Sequence, residues 1–518
     1  MEKVVVVVVA ILSAAVVAQI EGDYRLELTG LEAQERIQAR EFSVQSYVAR
    51  LLYQAVLNED VNAFIGFDIP TAMNRAKEAD IRERQGTGGL LNGIPFLVKD
   101  NIQTPDYPCT AGTPALVDND PDITNPVVAD LMNAGAVLLG TTNMHELAFG
   151  ITSDNYWTGP VLNPYDRSLF AGGSSGGSGA GVAARMAPVA LGTDTGGSVR
   201  IPAALNGIFG FRPTQYRYDS SSVVPISTYR DTIGLMARSM ADIRAFDEVI
   251  TDDFTSPPVV LSNLRLAVDR STFFTGLDAE TQVVMDAALA ALTAAGVELV
   301  EVDASDTFAT FEPCSSNVVF YEFVPNMTSY LASTPNQYST DELVSQIASP
   351  DVAGVVGGIF SGDIPRMTQQ EYDTTITVSC ENFKDYYFGL ITDVSADGFI
   401  LPTTVLPARP NSPTFEVELN GEDVNAFFTY IQNTEYAATA QGPGISIPAG
   451  LTVSGLPVGI EIDGVPNSDR RLINIAEAVA SALAPTPRPA DILYSAGSVP
   501  AIFSVSFLSV LAALLHIL

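Results

Sequence analysis

Histidine, tryptophan and cysteine are almost missing from this 518-residue chain, which carries two, one and three of them. So few histidines exclude most imidazole chemistry. His516 lies in an apolar run at the C-terminus. His145 stands alone in Asn143-Met144-His145-Glu146, without the second histidine that a helical zinc pair requires, and it reads as a packing residue. No metal and no cofactor is assigned. Cys109, Cys314 and Cys380 allow at most one disulfide, its pairing open, so no disulfide framework shapes the fold. Basic residues are also few: 26 Lys and Arg stand against 60 Asp and Glu, a net charge of −34. Phosphate backbones need clustered cations, so nucleic acid is excluded as a partner. The acidic excess reads as a solvated surface. No internal repeat is evident, and 47% hydrophobic residues suffice for a sizeable core.

What the chain does contain is glycine beside serine. Between Phe170 and Ala204 lie Gly172-Gly173-Ser174-Ser175-Gly176-Gly177 and Thr193-Asp194-Thr195-Gly196-Gly197-Ser198. Paired glycines let the backbone take positive φ and approach a ligand closely. Successive N–H groups in such turns form an anion-binding nest. A serine beside a nest suits acyl transfer, which needs a nucleophile next to donors for the developing oxyanion. The N–H groups of Thr195, Gly196, Gly197 and Ser198 are the expected oxyanion donors. Apolar runs flank both turns, which a flexible Gly/Ser linker would lack.

A serine nucleophile also needs a base. Gly173-Ser174-Ser175-Gly176-Gly177 formally matches the G-x-S-x-G elbow, but that arrangement places its histidine after the nucleophile, where only His516 remains. Lysine is the usual substitute. Lys99 ends the apolar run Ile94-Pro95-Phe96-Leu97-Val98, which reads as a buried strand. Burial would lower its pKa towards neutrality; the alternative is a lysine reaching from a strand end into water.

These three places carry a resemblance. The stretches Asn92–Ser239 and Thr434–Leu483 resemble the amidase signature family, with its Ser–cis-Ser–Lys catalytic set. Ser174 and Ser198 are 24 positions apart, and Lys99 precedes Ser174 by 75, as in the family pattern. The resemblance implies that Ser198 is the nucleophile, Ser174 the bridging cis-serine after a cis peptide bond, and Lys99 the terminal base. It also implies an α/β fold: a single large domain, with a central mixed β-sheet covered by helices on both faces. Asp194 and Arg200 match family positions, as supports of the serine loop or as an ordinary ion pair. Asn143–Ser153, Arg230-Asp231-Thr232-Ile233-Gly234, Gly442–Gly450 and Gly455–Glu461 also resemble the family. Ile233 and Leu235 stand where prolines are common in it, and Tyr216 where a glycine often is. Among its members the chain looks most like the mandelamide and indoleacetamide hydrolases, which act on small arylacetamides. The implied function is hydrolysis of a small-molecule amide to carboxylate and ammonia. An esterase or peptide amidase, or an amidotransferase A-type subunit, are the alternatives, and a homodimer is kept as a partner state.

Along the chain, Met1–Ala18 reads as a secretory signal peptide, with a lysine, a short apolar run and small residues for cleavage; an uncleaved membrane anchor is the alternative. Residues 22–484 then form the enzyme domain. Helices are expected over Gly22–Gln85, Asn125–Gly135, from Val182 to Met186, Val199–Leu205, Asp278–Ala295 and from Ser468-Asp469 to Leu483. Strands are expected at Ala136–Gly140, Val189–Gly192 and Val297–Val300. The family likeness fades over Thr307–Thr374, the segment expected to shape the substrate pocket. Asn326-Met327-Thr328 matches a glycosylation acceptor. Residues 485–498 read as a linker with small residues, and 499–518 as an apolar tail. The tail is expected to be a GPI-attachment signal, with an uncleaved membrane helix as the alternative. Together these place the protein in the secretory pathway, anchored at the cell surface.

Overall fold

Buried strands begin where the sequence runs apolar. The computed structural model describes residues 23–120, 122–255 and 258–489, and the expected leader and C-terminal tail lie outside them. Thirteen strands occur among the described residues: β1 (Phe64–Phe67), β2 (Pro95–Lys99), β3 (Val137–Thr142), β4 (Val189–Asp194), β5 (Phe209–Arg212), β6 (Thr232–Ala237), β7 (Arg265–Val268), β8 (Glu298–Glu301), β9 (Gly398–Pro402), β10 (Glu416–Leu419), β11 (Glu422–Asn425), β12 (Gly444–Leu451) and β13 (Pro457–Asp463). Eleven join one mixed sheet in the order β1-β3-β2-β4-β6-β5-β12-β13-β9-β7-β8, and β10 and β11 form a separate hairpin. The pairs β3–β2, β2–β4, β9–β7 and β7–β8 are parallel, and the rest antiparallel.

Successive strand residues point to opposite faces, and here they enter two different cores. Phe96, Val98, Leu138, Val189 and Leu191 belong to one apolar cluster. Leu97, Val137, Leu139 and Ala190, their alternating neighbours, belong to another. Both faces are therefore covered, as in the expected sandwich, and central strands read as unbroken apolar runs for that reason. Helices Arg200–Leu205, Ala279–Ala294 and Asp469–Ala482 pack on β12 and β13. Helix Gly176–Ala183 lies over β4, β2, β3 and β6.

The helices expected over Asn125–Gly135 and Asp278–Ala295 form, capped by the side chains of Asn125 and Asp278. Three expectations need correction. Gly22–Gln85 is not helical throughout: β1 interrupts it and pairs antiparallel with β3. The helix after the first glycine turn starts at Gly176, not Val182, and runs through glycines of poor intrinsic propensity. Packing overrides propensity there, since a Cβ on Gly177 would lie 2.4 Å from the Asn143 carbonyl oxygen and one on Gly181 2.9 Å from Leu97. The helix Asp469–Ala482 forms, but no side-chain hydrogen bond from Ser468 caps it. Cys314 and Cys380 are the pair that bonds, and Cys109 is free and buried. Asn326 sits inside helix Ser316–Ser333 with its Nδ2 buried, away from any surface loop.

Candidate active site

Lys99 stands two residues after Leu97, so strand alternation sends it to the face that carries helix Gly176–Ala183. Ser174 immediately precedes that helix, and the Gly173–Ser174 peptide bond is cis, as the resemblance implied. Lys99 Nζ lies 2.7 Å from Ser174 Oγ and 2.8 Å from Thr193 Oγ1. It is fully buried. Burial brings its pKa down to about 7, against a smaller upward pull from the carboxylates of Asp194 and Asp231. Thr193 Oγ1 also accepts from Asn101 Nδ2 at 3.1 Å. Neither Thr193 nor Asn101 stood out as a polar partner of lysine in the sequence, although both sit in motifs that did.

The second glycine turn leaves the end of β4. Ser175 N–H donates to the Ser198 carbonyl (3.3 Å), which ties the two serine loops together. Asp194 holds the turn from below with two oxygens. Oδ1 accepts from Gly197 N–H (2.9 Å) and Arg200 Nη2 (2.9 Å), and Oδ2 from Val199 N–H (3.2 Å) and Arg200 Nε (3.1 Å). Arg212 Nη1 lies 3.1 Å from Oδ1, and Arg200 Nη1 reaches Glu461 Oε1 at 2.5 Å. Burial alone would raise the Asp194 carboxyl, yet the two guanidinium groups hold it below the usual carboxylate range. Asp194 and Arg200 are thus both readings at once, a buried bidentate ion pair that fixes the serine loop.

Gly197 corrects the expected donor set. Its N–H is engaged by Asp194. Among the described residues, the N–H groups of Thr195, Gly196 and Ser198 donate to no protein acceptor, and they are the donors left for an oxyanion. Gly197 is needed for another reason: its φ is +135°, and a Cβ there would lie 2.0 Å from Thr434 Oγ1. That hydroxyl donates to the Gly196 carbonyl at 2.6 Å. On the other flank the Thr195 hydroxyl donates to Asp231 Oδ1 at 2.6 Å, and burial raises the Asp231 carboxyl to about 6.

Ser198, Thr195 and Gly196 form part of the wall of a cavity of about 480 Å³. Phe149, Phe170, Phe320, Phe415, Phe427 and Phe428 supply aromatic surface, and Arg230 and Glu435 supply charge. Ser316, Val319, Phe320, Asp351 and Val355 come from the divergent segment expected to shape the pocket. The hairpin β10–β11 and helix Ala426–Ile431 contribute too, which no motif announced. His145 belongs to the wall, and its ring bonds to Thr152, Ser153 and Asp351 rather than to Lys99, Ser174 or Ser198. Its Nδ1 accepts from Ser153 N–H (3.2 Å), so Nε2 carries the proton and donates to Asp351 Oδ2 (2.9 Å). Among the described residues no group of His, Cys, Asp and Glu could hold a metal ion.

A mixed sheet of this order, with a buried lysine against the serine of the first glycine turn, fits the class of amide-hydrolysing enzymes that the resemblance implied. The family model for Amidase matches residues 43–473, and the chain belongs to that family, the amidase signature enzymes that hydrolyse amide carbon–nitrogen bonds. Among its relatives, the indoleacetamide hydrolase of Agrobacterium vitis is 36% identical over 450 residues, covering 87% of this chain and 96% of that protein. The mandelamide hydrolase of Pseudomonas putida is 38% identical over 480 residues, covering 89% and 93%. Among solved structures, the native peptide amidase from Stenotrophomonas maltophilia superposes with a TM-score of 0.77 at 26% identity, covering 89% of this chain and 98% of that one.

Proposed function

We propose that the chain hydrolyses a small arylacetamide-like amide through an acyl-enzyme on Ser198, with Ser174 and Lys99 as the proton relay. The observation that carries this reading is the 2.7 Å approach of a buried, low-pKa lysine to Ser174 Oγ. A neutral amine that donates to Thr193 turns its lone pair towards Ser174. Lys99 then takes the Ser174 proton while Ser174 takes that of Ser198, and Ser198 Oγ attacks the amide carbon. The N–H groups of Thr195, Gly196 and Ser198 stabilise the oxyanion. Collapse breaks the C–N bond, and the proton returns through Ser174 to the departing ammonia. Water then attacks the ester by the same relay and releases the carboxylate.

The aromatic lining and modest volume of the cavity support a small aryl substrate, as do relatives named for indoleacetamide and mandelamide. A secretory, surface-anchored location is part of the proposal. The Cys314–Cys380 disulfide supports it, because such bonds persist in oxidising compartments. The test of the nucleophile is labelling by a fluorophosphonate probe, which Ser198→Ala should abolish. Labelling that persists on another serine would overturn the assignment.

A further inference from the structure

Behind the serine loop lies a buried carboxyl pair that the relay does not use. Glu461 and Asp463 stand two residues apart on β13, so strand alternation sends both to one face, the face that meets Arg200. Across from Asp463 on β12 is Gly444. A Cβ there would lie 2.6 Å from Asp463 Oδ1, 3.3 Å from Glu461 Oε1 and 3.4 Å from Arg200 Cδ, so the three side chains converge on one point. Neither carboxyl is exposed at all.

Each carboxyl has a donor for one oxygen. Glu461 Oε1 accepts from Arg200 Nη1 at 2.5 Å, and Asp463 Oδ2 from the Tyr387 hydroxyl at 2.6 Å. Among the described residues, Glu461 Oε2 and Asp463 Oδ1 are buried and meet no protein donor. Two ionised carboxylates left in that state would be costly. Burial raises both carboxyls, and a side-chain hydrogen bond joins them. Ionised carboxylates only accept, so that bond needs a proton on one of the two. Charge points the same way. Hydrogen bonds link the pair through Arg200 to Asp194 and on to Arg212. Asp194 and the two guanidinium groups together carry one positive charge, so one negative charge on the pair leaves the buried cluster neutral, and two would overshoot. Asp231 acts on Arg212, and Asp194 on Lys99, through space alone.

We propose that Glu461 and Asp463 share one proton and are positioning residues: the pair braces the Nη1 edge of Arg200 while Asp194 takes Nε and Nη2, and so holds the loop that bears Ser198. The role rests on Ser198 as the nucleophile. The experiment measures the rate constant for Ser198 labelling by a fluorophosphonate probe, which does not depend on how much of a preparation is folded. Glu461→Gln and Asp463→Asn each imitate the protonated member. The amide oxygen keeps the bond from Arg200 or Tyr387, the amide N–H replaces the shared proton, and one negative charge remains. Each should label within about threefold of the wild-type rate. Glu461→Leu removes the brace, and the double variant Glu461→Gln/Asp463→Asn removes the last negative charge; each should slow labelling by about 10–100-fold. At neutral pH the infrared difference spectrum between wild type and Glu461→Gln should contain the carbonyl stretch of a protonated carboxylic acid. Absence of that band overturns the inference. So do single amide variants as slow as Glu461→Leu, the outcome for two ionised carboxylates, and a double variant as fast as the singles. The probe reports on Ser198 whatever its substrate, so a failure of arylacetamide turnover overturns only the substrate reading. Labelling on another serine overturns the Ser198 reading and this positioning role together.

Discussion

Replacing Lys99 tests the relay where the structure makes the sharpest demand. Lys99→Met keeps most of the side-chain volume and removes the amine that lies 2.7 Å from Ser174 Oγ and 2.8 Å from Thr193 Oγ1. Loss of one general base lowers kcat by roughly 10²–10⁴-fold. Lys99→Arg should not rescue it, because a guanidinium stays protonated. With a pKa of about 7, the wild-type amine is mostly neutral at pH 8 and mostly ammonium at pH 6, so kcat/KM should fall about tenfold per pH unit below neutrality. Glu435 titrates in the same range, so Glu435→Gln must keep that acid limb. His145→Ala must keep it as well. The same pKa sets a stability effect with a definite sign. The folded state lowers the lysine pKa from 10.5 to about 7, so between these values the unfolded chain binds more protons and stability rises with pH. The penalty is fully present below pH 7 and is relieved as pH rises through 10.5. It amounts to about 1.4 kcal/mol per unit, on the order of 5 kcal/mol in all. Lys99→Met should therefore be more stable than the wild type at pH 7 in urea denaturation, and the gap should narrow by about 2–3 kcal/mol at pH 9. An acid limb that survives in Lys99→Met and vanishes in His145→Ala would refute the Ser–Ser–Lys relay. An unchanged stability gap between the two pH values would refute the buried low-pKa amine.

Three further outcomes are expected. Gly197→Ala sets a Cβ 2.0 Å from Thr434 Oγ1 at a φ of +135°, so it should cost about 2–4 kcal/mol in urea denaturation and lower kcat; a stability within error of wild type would show that the turn relaxes. Cys314→Ser opens a cross-link that spans 66 positions, which chain entropy values at about 4 kcal/mol; an unchanged denaturation midpoint would remove the disulfide from the forces holding this wall. Phosphatidylinositol-specific phospholipase C should release the protein from cells, whereas a membrane-retained chain with an intact C-terminal peptide by mass spectrometry would favour a spanning helix.

Some of this protein was settled by local chemistry that a sequence displays. The apolar run Ile94-Pro95-Phe96-Leu97-Val98 reads as a buried strand, and Pro95–Lys99 is one. Two glycine turns that each carry a serine, in a chain with only two histidines, one of them in a C-terminal apolar run, point to lysine as the candidate base. Helix ends at Asn125 and Asp278 follow from side chains that bond their own backbone a few residues on. Other features depend on neighbours remote in the chain, and no local rule reaches them. Helix Gly176–Ala183 carries glycines of poor propensity because the Asn143 backbone and Leu97 leave no room for a Cβ at Gly177 and Gly181. β1 is four residues long and is held by pairing with β3, more than seventy positions later. The Gly197 N–H looked free in its turn until Asp194 folded back onto it. Arg230 and Glu435 are 205 positions apart in the chain and reach one cavity because Asp231 and Thr434 bind the same loop from two sides. Residue type decided which groups could react. Burial decided their pKa values, and burial is a property of the packed sheet and helices, which exists only once the distant segments have met.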